Sequence, residues 1–430
     1  MQPPVPEPPQ AAPRGRLASL ALDFGLLRRR RDFALMTFSQ LVSLTGSMAT
    51  FVAIPFQVYA MTGSSVAVGL LGVAELVPVL VLALVAGALA DAWDRRRLVI
   101  AAEATAATVA AGLLVNAQFE HPVLWVIYLC AALLAACTSM LRPPLDALVP
   151  QLVARDELKA AGGIDFFVGN IAQIAGPAIG GVFIALAGVT VNYTVDLASF
   201  VLSAMALALM RAPPAVSQVV KPSLRAIVDG LRYARSRQEL VGTYLIDMNA
   251  MFFAMPMALF PALSERYGGA AALGLLFAAP AVGSLLASLT SGWTRRVHRD
   301  GRAVVYAAAG WGVGITAFGF ADALWLALLF LALAGAMDAI SGIFRTAIWN
   351  STIPDHLRGR LAGIEMVSWS SGPLLGNARA GAVASLAGLR GSIVSGGVLC
   401  VAGCAVLALL LPRFWSYEAR DHAPDQGDLS

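Results

Sequence analysis

The sequence predicts an all-α membrane protein of twelve transmembrane helices, grouped as two six-helix bundles related by a pseudo-twofold. Three observations lead there. Twelve apolar stretches each reach the length, about 20 residues, that crosses a bilayer as a helix. The 430 residues are 58% hydrophobic and 13% charged, against roughly 25% charged in soluble domains. All but Arg266, Arg379 and Arg390 of the 30 Lys and Arg fall on one side of the alternation, as expected when short basic loops stay cytoplasmic.

In chain order the expected spans are 33–61, 65–90, 98–117, 122–144, 159–186, 190–210, 240–262, 271–293, 303–321, 323–347, 359–386 and 391–412. Each must be helical, because an open strand would leave backbone groups unsatisfied in lipid. The basic residues fall in the N-terminal tail, in 91–97, 142–159, 211–239, 295–302 and 345–360, and after 413. The turns at 62–64, 117–121, 187–189 and 322 carry no Lys or Arg. Both termini are therefore expected on the cytoplasmic face of an inner-type membrane. An odd number of crossings would break the alternation.

Residues 1–32 form a tail with Pro3, Pro4, Pro6, Pro8, Pro9 and Pro13. It lacks the apolar core of a signal peptide and is expected to be disordered up to a juxtamembrane anchor at Arg28–Arg31. The first bundle occupies 33–210, the second 240–412, and 413–430 is a cytoplasmic tail. The linker 211–239 begins with Pro213, Pro214 and Pro222. From Ser223, Leu224, Ile227, Val228 and Leu231 recur at helical spacing with Arg225, Arg232, Arg235 and Arg237 between them, the pattern of a helix lying in the membrane interface.

The halves repeat. Arg142 and Pro150 end the fourth span, followed by Leu152, Arg155 and Asp165; Arg345 and Pro354 end the tenth, followed by Leu357, Arg358 and Glu365. Gly87 precedes one basic turn and Gly292 its counterpart at Arg295 and Arg296. Parallel repeats of this kind enclose a central hollow with the binding site near the midplane.

Several function classes drop out. Cys130, Cys137, Cys400 and Cys404 lie inside apolar spans, where thiols behave as small hydrophobes, and they have neither disulfide nor metal spacing. His121, His298, His356 and His422 are scattered over different loops. No Walker-type phosphate loop appears, no Ser/His pair or metal spacing supports an intramembrane enzyme, and no cofactor is implied. The basic balance reflects arginines at an anionic leaflet, so nucleic acid is not an expected partner. The partners expected are lipid and a small-molecule substrate, for a monomeric carrier.

Carboxylates inside apolar spans are expensive enough to invite a functional reading. Glu75 lies near the middle of span two, and Asp247 lies in span seven with Asn249 close by. These two rank first as proton-coupling groups. Asp338 lies in span ten on the face of Arg345, seven residues on, and reads as a structural pair with it. Asp165 and Glu365 hold equivalent places beside Arg155 and Arg358, which suggests bridges at an inner gate that also takes in Arg142 and Arg345.

The turn Gly87-Ala-Leu-Ala-Asp91-Ala-Trp-Asp94-Arg95-Arg96-Arg97 resembles the signature of the major facilitator superfamily. By that resemblance Asp91 faces the start of the eleventh helix, where a helix dipole favours an anion, and Arg95 reaches Asp146. This latch would hold the outward-facing state. In span five, Gly163 and Gly176-Pro177-Ala-Ile-Gly180-Gly181 resemble the antiporter signature of the exporters, with Ala172 where that signature has glycine. Another exporter signature, an arginine high in span four, has no counterpart in 125–141.

The finer resemblance is to the enterobactin-exporter-like, drug:proton antiporter branch. It rests on Gln57-Val-Tyr59, Thr62-Gly-Ser-Ser65, Gly69-Leu, Pro150-Gln-Leu-Val153 and Pro354-Asp-His-Leu-Arg-Gly-Arg360. The resemblance implies a cavity lined by helices one, four, seven and ten. Gln40, Ser43, Ser47, Gln57, Asn249 and Phe252 would face it, with Gln173 and Trp369 adding walls. The Met-rich stretch Met248 to Met257 reads as packing. The function expected is proton-driven efflux of an amphipathic drug or siderophore; the alternatives are a proton-coupled nutrient importer and a non-transporting membrane sensor or scaffold.

Overall fold

The computed structural model describes residues 23–92, 95–211 and 232–418; side chains at 83–92, 142, 143, 146, 147, 355–360, 362–364, 366 and 367 lie outside the description. Twelve long helices are present among the described residues. They are α1 (Arg31–Thr62), α2 (Ser65–Ala92), α3 (Arg95–Ala117), α4 (Leu124–Leu152), α5 (Leu158–Ala187), α6 (Val189–Ala208), α7 (Gln238–Ala254), α8 (Ala270–Leu289), α9 (Asp300–Phe318), α10 (Leu324–Thr352), α11 (355–387) and α12 (389–410). Ten segments are long and apolar enough to cross a membrane, the last of them, Ser368–Leu410, holding parts of two helices. The expected interfacial helix of the linker lies outside the described residues up to 231; 232–236 are helical.

The turns explain themselves locally. Gly188 (φ 78) joins α5 to α6 and Gly388 (φ 75) joins α11 to α12, both in a region that side chains with a Cβ rarely adopt. One residue thus suffices to reverse each chain at equivalent points of the two halves. The repeat shows again in α4 and α10, which open on Leu124-Trp125 and Leu324-Trp325, each tryptophan 66% exposed. Indoles at that level suit a membrane–water boundary.

Span seven departs from expectation. Instead of a continuous helix over 240–262, α7 stops at Ala254, and the chain continues as short turns through Met257–Leu259 and Phe260–Ser264. Pro256 lacks an N–H and disfavours helical backbone at the residue before it. Met255 is accordingly extended (φ −90, ψ 109).

Within the first half α1 packs on α5 and α6, α3 on α4 and α6, and α2 on α4; in the second, α8 and α9 pack on α10, with α7 and α9 against the α11–α12 pair. The halves meet through α2 with α11 and α5 with α8. These junctions concentrate at the end that carries the turns at Gly188 and Gly388. A Cβ at Gly69 would lie 2.7 Å from Asn377 O, and one at Gly181 would lie 2.7 Å from Ala270 O and from Gly274. Phe51 of α1 meets Phe277 of α8 edge to face at 5.4 Å.

The cores follow the same division. One apolar cluster runs across both halves at the turn end, joining Val58, Leu71 and Ile127 to Leu259, Leu273 and Phe277. At the opposite, basic end the first half keeps a separate core of Leu26, Phe33, Met36, Val99, Leu148 and Ile164. Gly162 and Gly169, on the basic-end half of α5, would project a Cβ into open space. Among the described residues, then, the halves are interlocked at the turn end and distinct at the basic end.

Both flanking segments dock onto this basic end. The short helix Gly25–Arg29 buries Leu26 completely. It is tied by Arg30 Nε, which donates to Glu157 Oε2 at 2.8 Å, with Arg29 Nε at 3.9 Å from Oε1. The Ala154 backbone N–H holds the Glu157 carboxyl below its ordinary range, helped by Arg30 and Arg29. At the other terminus the expected tail is docked as far as Glu418. Phe414 is fully buried against Gly242 and Gly301, and the Tyr417 hydroxyl bonds Ser351 and Thr352 at 2.9 Å each.

Candidate functional site

The interior of the second half is organised around Arg345. Asp247 on α7 forms a close ion pair with it, and Asp338, two turns earlier on α10, lies 3.6 Å from Nη2. Glu365 on α11 lies within Coulombic reach of Arg345 and Asp247. One guanidinium therefore pairs with two carboxylates from two helices, while Glu365 on a third helix adds charge nearby without an ion pair to it among the described residues. The groups differ in access: the side chain of Asp247 is 9% exposed, that of Arg345 13% and that of Asp338 42%. Arg345 Nε is buried without a hydrogen-bond partner among the described residues.

This arrangement changes the pairing expected from spacing. Asp338 shares Arg345 with Asp247, and Asp247 holds the nearer position. Glu75 on α2 is half-buried and has no ion-pair partner among the described residues. Of the latch residues, the side chains of Gly87, Asp91 and Asp146 lie outside the described residues, as do Arg142 and Arg358 of the expected inner gate. Arg95 opens α3, and Asp165 sits half-buried on α5. The neighbouring Arg96 donates to Leu207 O at 2.9 Å and Ala208 O at 2.6 Å, closing the last carbonyls of α6 as a cation does at a helix C-terminus.

The antiporter-like stretch of α5 is a packing surface on two sides. Gly176 and Gly180 face the α1 backbone near Thr45, Met48 and Ala49, while Gly181 faces α8. Pro177 presents its carbonyl to Gly274 of α8, and Gly163, about four turns earlier, is half-buried. The expected cavity residues separate into two sets. Gln173 and Trp369 are exposed, and Gln40, Ser47 and Phe252 half-buried. The other three bond inside the halves. Ser43 donates to both oxygens of Glu103 on α3 at 3.1 Å, Gln57 Oε1 accepts from the Tyr193 hydroxyl on α6 at 2.6 Å, and Asn249 donates to Cys400 O on α12 at 2.9 Å.

One buried acid gave no expectation from the sequence, and two further charged groups take places that spacing did not indicate. Asp196 on α6 is fully buried, and an acid inside an apolar span was itself the available signal. Glu103, two turns into α3, is 3% exposed. Arg379 donates to Phe253 O at 2.7 Å and Ser392 O at 3.4 Å, so the cation within span eleven satisfies a carbonyl freed by the break in α7. Met251 and Met255 are 8% exposed and pack on Gly372 and Gly376 of α11, a packing role that agrees with expectation.

Known proteins place this geometry. The chain is 28% identical over 413 residues to the enterobactin exporter EntS of Citrobacter koseri, covering 96% of this chain and 99% of the relative. It is 27% identical over 395 residues to the protein of that name from Escherichia coli, covering 91% and 95%. Solved structures share the fold at low identity. A bacterial homologue of the iron transporter ferroportin, in an inward-facing state, gives a TM-score of 0.66 at 18% identity, covering 90% of this chain and 99% of that one. A bacterial homologue of the human lysosomal transporter Spinster gives 0.68 at 14%, covering 94% and 99%. A family model for transmembrane secretion effectors matches residues 25–427. The chain therefore belongs to the transmembrane secretion effector family, multi-pass membrane transporters of the major facilitator superfamily rather than enzymes.

Proposed function

We propose that the protein exports an amphipathic small molecule, a siderophore or a drug, across the inner membrane in exchange for protons, by alternating access between two six-helix bundles. The observation that carries this reading is the sharing of Arg345 by Asp247 and Asp338, with a third acid, Glu365, nearby on α11. If all three acids were ionised, surplus negative charge would sit inside the membrane, where each uncompensated carboxylate costs about 2.5–3.5 kcal/mol on insertion scales. A proton on one of them removes that cost. Asp338, the most exposed of the ion-paired groups, is best suited to load and release it, while Asp247 keeps Arg345 in place. Loss of the proton at Asp338 strengthens its pull on Arg345 and loosens Arg345 from Asp247, which links proton traffic to the relative position of α7 and α10.

The export direction is supported by the enterobactin exporters that match along nearly the whole chain and by the exporter-like glycines of α5. In this reading the basic end is cytoplasmic, and both termini lie there. Gln40, Ser47, Gln173, Phe252 and Trp369 contact the cargo. Gly87, Asp91, Arg95 and Asp146 form the latch of the outward-facing state, and Arg142, Asp165, Arg358 and Glu365 the inner gate. The carrier works as a monomer on the proton gradient alone.

The test is counterflow in vesicles holding the purified protein. Asp338→Asn should retain exchange of cargo without a pH gradient and lose gradient-driven accumulation. Wild-type accumulation by the folded variant refutes Asp338 as the coupling group. Gly87→Val and Asp91→Asn should each abolish transport with expression intact. Siderophore secretion and drug susceptibility in a deletion strain identify the cargo class; no change in either refutes export of such molecules.

A further inference from the structure

A second polar system lies in the first half, away from Arg345. On α1, Ser39, Ser43, Gly46 and Thr50 recur at spacings of four and three, so they form one stripe. Antiparallel to it, α6 presents Ser203, Ser199 and Asp196, and α3 inserts Glu103 between them. The seam is closed to water: Asp196 is 0%, Ser203 0%, Thr50 2% and Glu103 3% exposed.

Its hydrogens can be traced one by one. Ser39 and Ser203 share a bond of 2.6 Å, and Ser43 donates to Glu103. Ser199 donates to the Asp196 main-chain carbonyl at 2.7 Å, leaving a contact of 3.4 Å to Oδ1. Thr50 stands one turn beyond Gly46, where a Cβ would lie 3.0 Å from Asp196 Oδ1, yet among the described residues neither Thr50 Oγ1 nor Asp196 Oδ2 has a hydrogen-bond partner. No cation forms an ion pair with Asp196 or Glu103 among the described residues. A buried carboxylate such as Asp196, with no cation and only a long bond of 3.4 Å from Ser199 to Oδ1, is among the least favourable arrangements in a protein, and buried polar atoms are rarely left unpaired.

We infer that the α1–α3–α6 seam is a proton-binding site that holds a resident proton on Asp196 Oδ2, donated to Thr50 Oγ1. One added hydrogen satisfies both unpaired atoms and removes the buried charge together. It also hydrogen-bonds α6 to α1, whose neighbouring face carries the Gly176 and Gly180 contacts of α5. The titratable groups facing the seam are Glu103 from α3, Cys137 from α4 beside Glu103, and Tyr193 on α6 itself. Between Phe33 and Gln57, α1 has no titratable residue, nor has α5 between Phe166 and Ala187. Asp338 has a side chain 42% exposed whereas Asp196 is wholly sealed, so the proton on Asp196 stays through the transport cycle. This inference is independent of the cargo, the direction of transport and the coupling role of Asp338.

Infrared spectroscopy of the full chain in lipid tests it. Near neutral pH the wild type should show the carbonyl stretch of a buried protonated carboxylic acid that Asp196→Asn removes and Asp338→Asn leaves. The same band should move to higher frequency in Thr50→Val, which keeps the side chain's shape and deletes the acceptor. A spectrum unchanged by Asp196→Asn overturns the inference. So does an Asp196 band that titrates away near neutral pH. Should Asp196→Asn fail to fold, Thr50→Val decides alone: a shifted band supports the bond and an unshifted one overturns it.

Discussion

The closure at the turn end rests on α5 meeting α8 backbone to backbone, and Gly181→Ala tests it. The new Cβ would lie 2.7 Å from Ala270 O and 2.7 Å from the Cα and N of Gly274. Carbon atoms pack at about 3.5–4.0 Å, so the methyl falls short by around an ångström against atoms that cannot rotate away. The helices must part, and overpacking of this kind costs about 1–3 kcal/mol. That cost falls on the closed state, so the ratio of open to closed molecules should rise roughly 5- to 140-fold, at about 1.4 kcal/mol per tenfold. A cysteine at Leu273, fully buried in the wild type, reports it. Membrane-impermeant maleimide applied at the turn end should label Leu273→Cys much faster with Gly181→Ala present. The four native cysteines are all buried and contribute little background. Gly162→Ala, whose Cβ meets nothing within 4 Å, carries the same gain in helix propensity and should leave the rate unchanged. Equal labelling of the folded Gly181→Ala protein and the control would refute closure by this contact.

Three further outcomes follow from the geometry. Because the Ala154 N–H and the two arginines depress the Glu157 carboxyl, the stability it adds is present above the ordinary glutamate range and is lost as pH falls through its lowered folded value. Proteolysis within 25–31 should therefore accelerate in acid, and Glu157→Gln should cleave readily at every pH; pH-independent protection in the wild type would contradict this. Phe414→Ala empties a fully buried site between Gly242 and Gly301 and should remove about 3–5 kcal/mol, read as a lower melting temperature in detergent. Tyr193→Phe leaves Gln57 Oε1 without its 2.6 Å donor and should destabilise by about 1–3 kcal/mol. The double variant with Gln57→Leu should recover much of that loss.

How far each feature could be read from the chain depends on its range. Helix ends at Gly188 and Gly388 and the break at Pro256 are local, set by backbone freedom at one residue or its neighbour. Ser43, Gln57 and Asn249 show the opposite case. Each was polar within an apolar span and so worth noticing, yet each turns to a helix of its own half instead of a shared hollow. Inside lipid an apolar face can point inward or outward with little penalty, so the sequence pattern does not fix how a helix is rotated. Asp247 and Arg345 stand far apart in sequence, and only the packing of α7 against α10 joins them.

Sequence alone determined the membrane class, the alternation of basic and uncharged loops, the repeat and the resemblance to exporters, because transfer free energy and loop charge are properties of single segments. Tertiary structure alone decided which acid takes Arg345, which glycines meet backbone, and where Asp196 is sealed from water. These depend on distances between helices remote in the chain, where a rotation of one residue exchanges a buried partner for lipid.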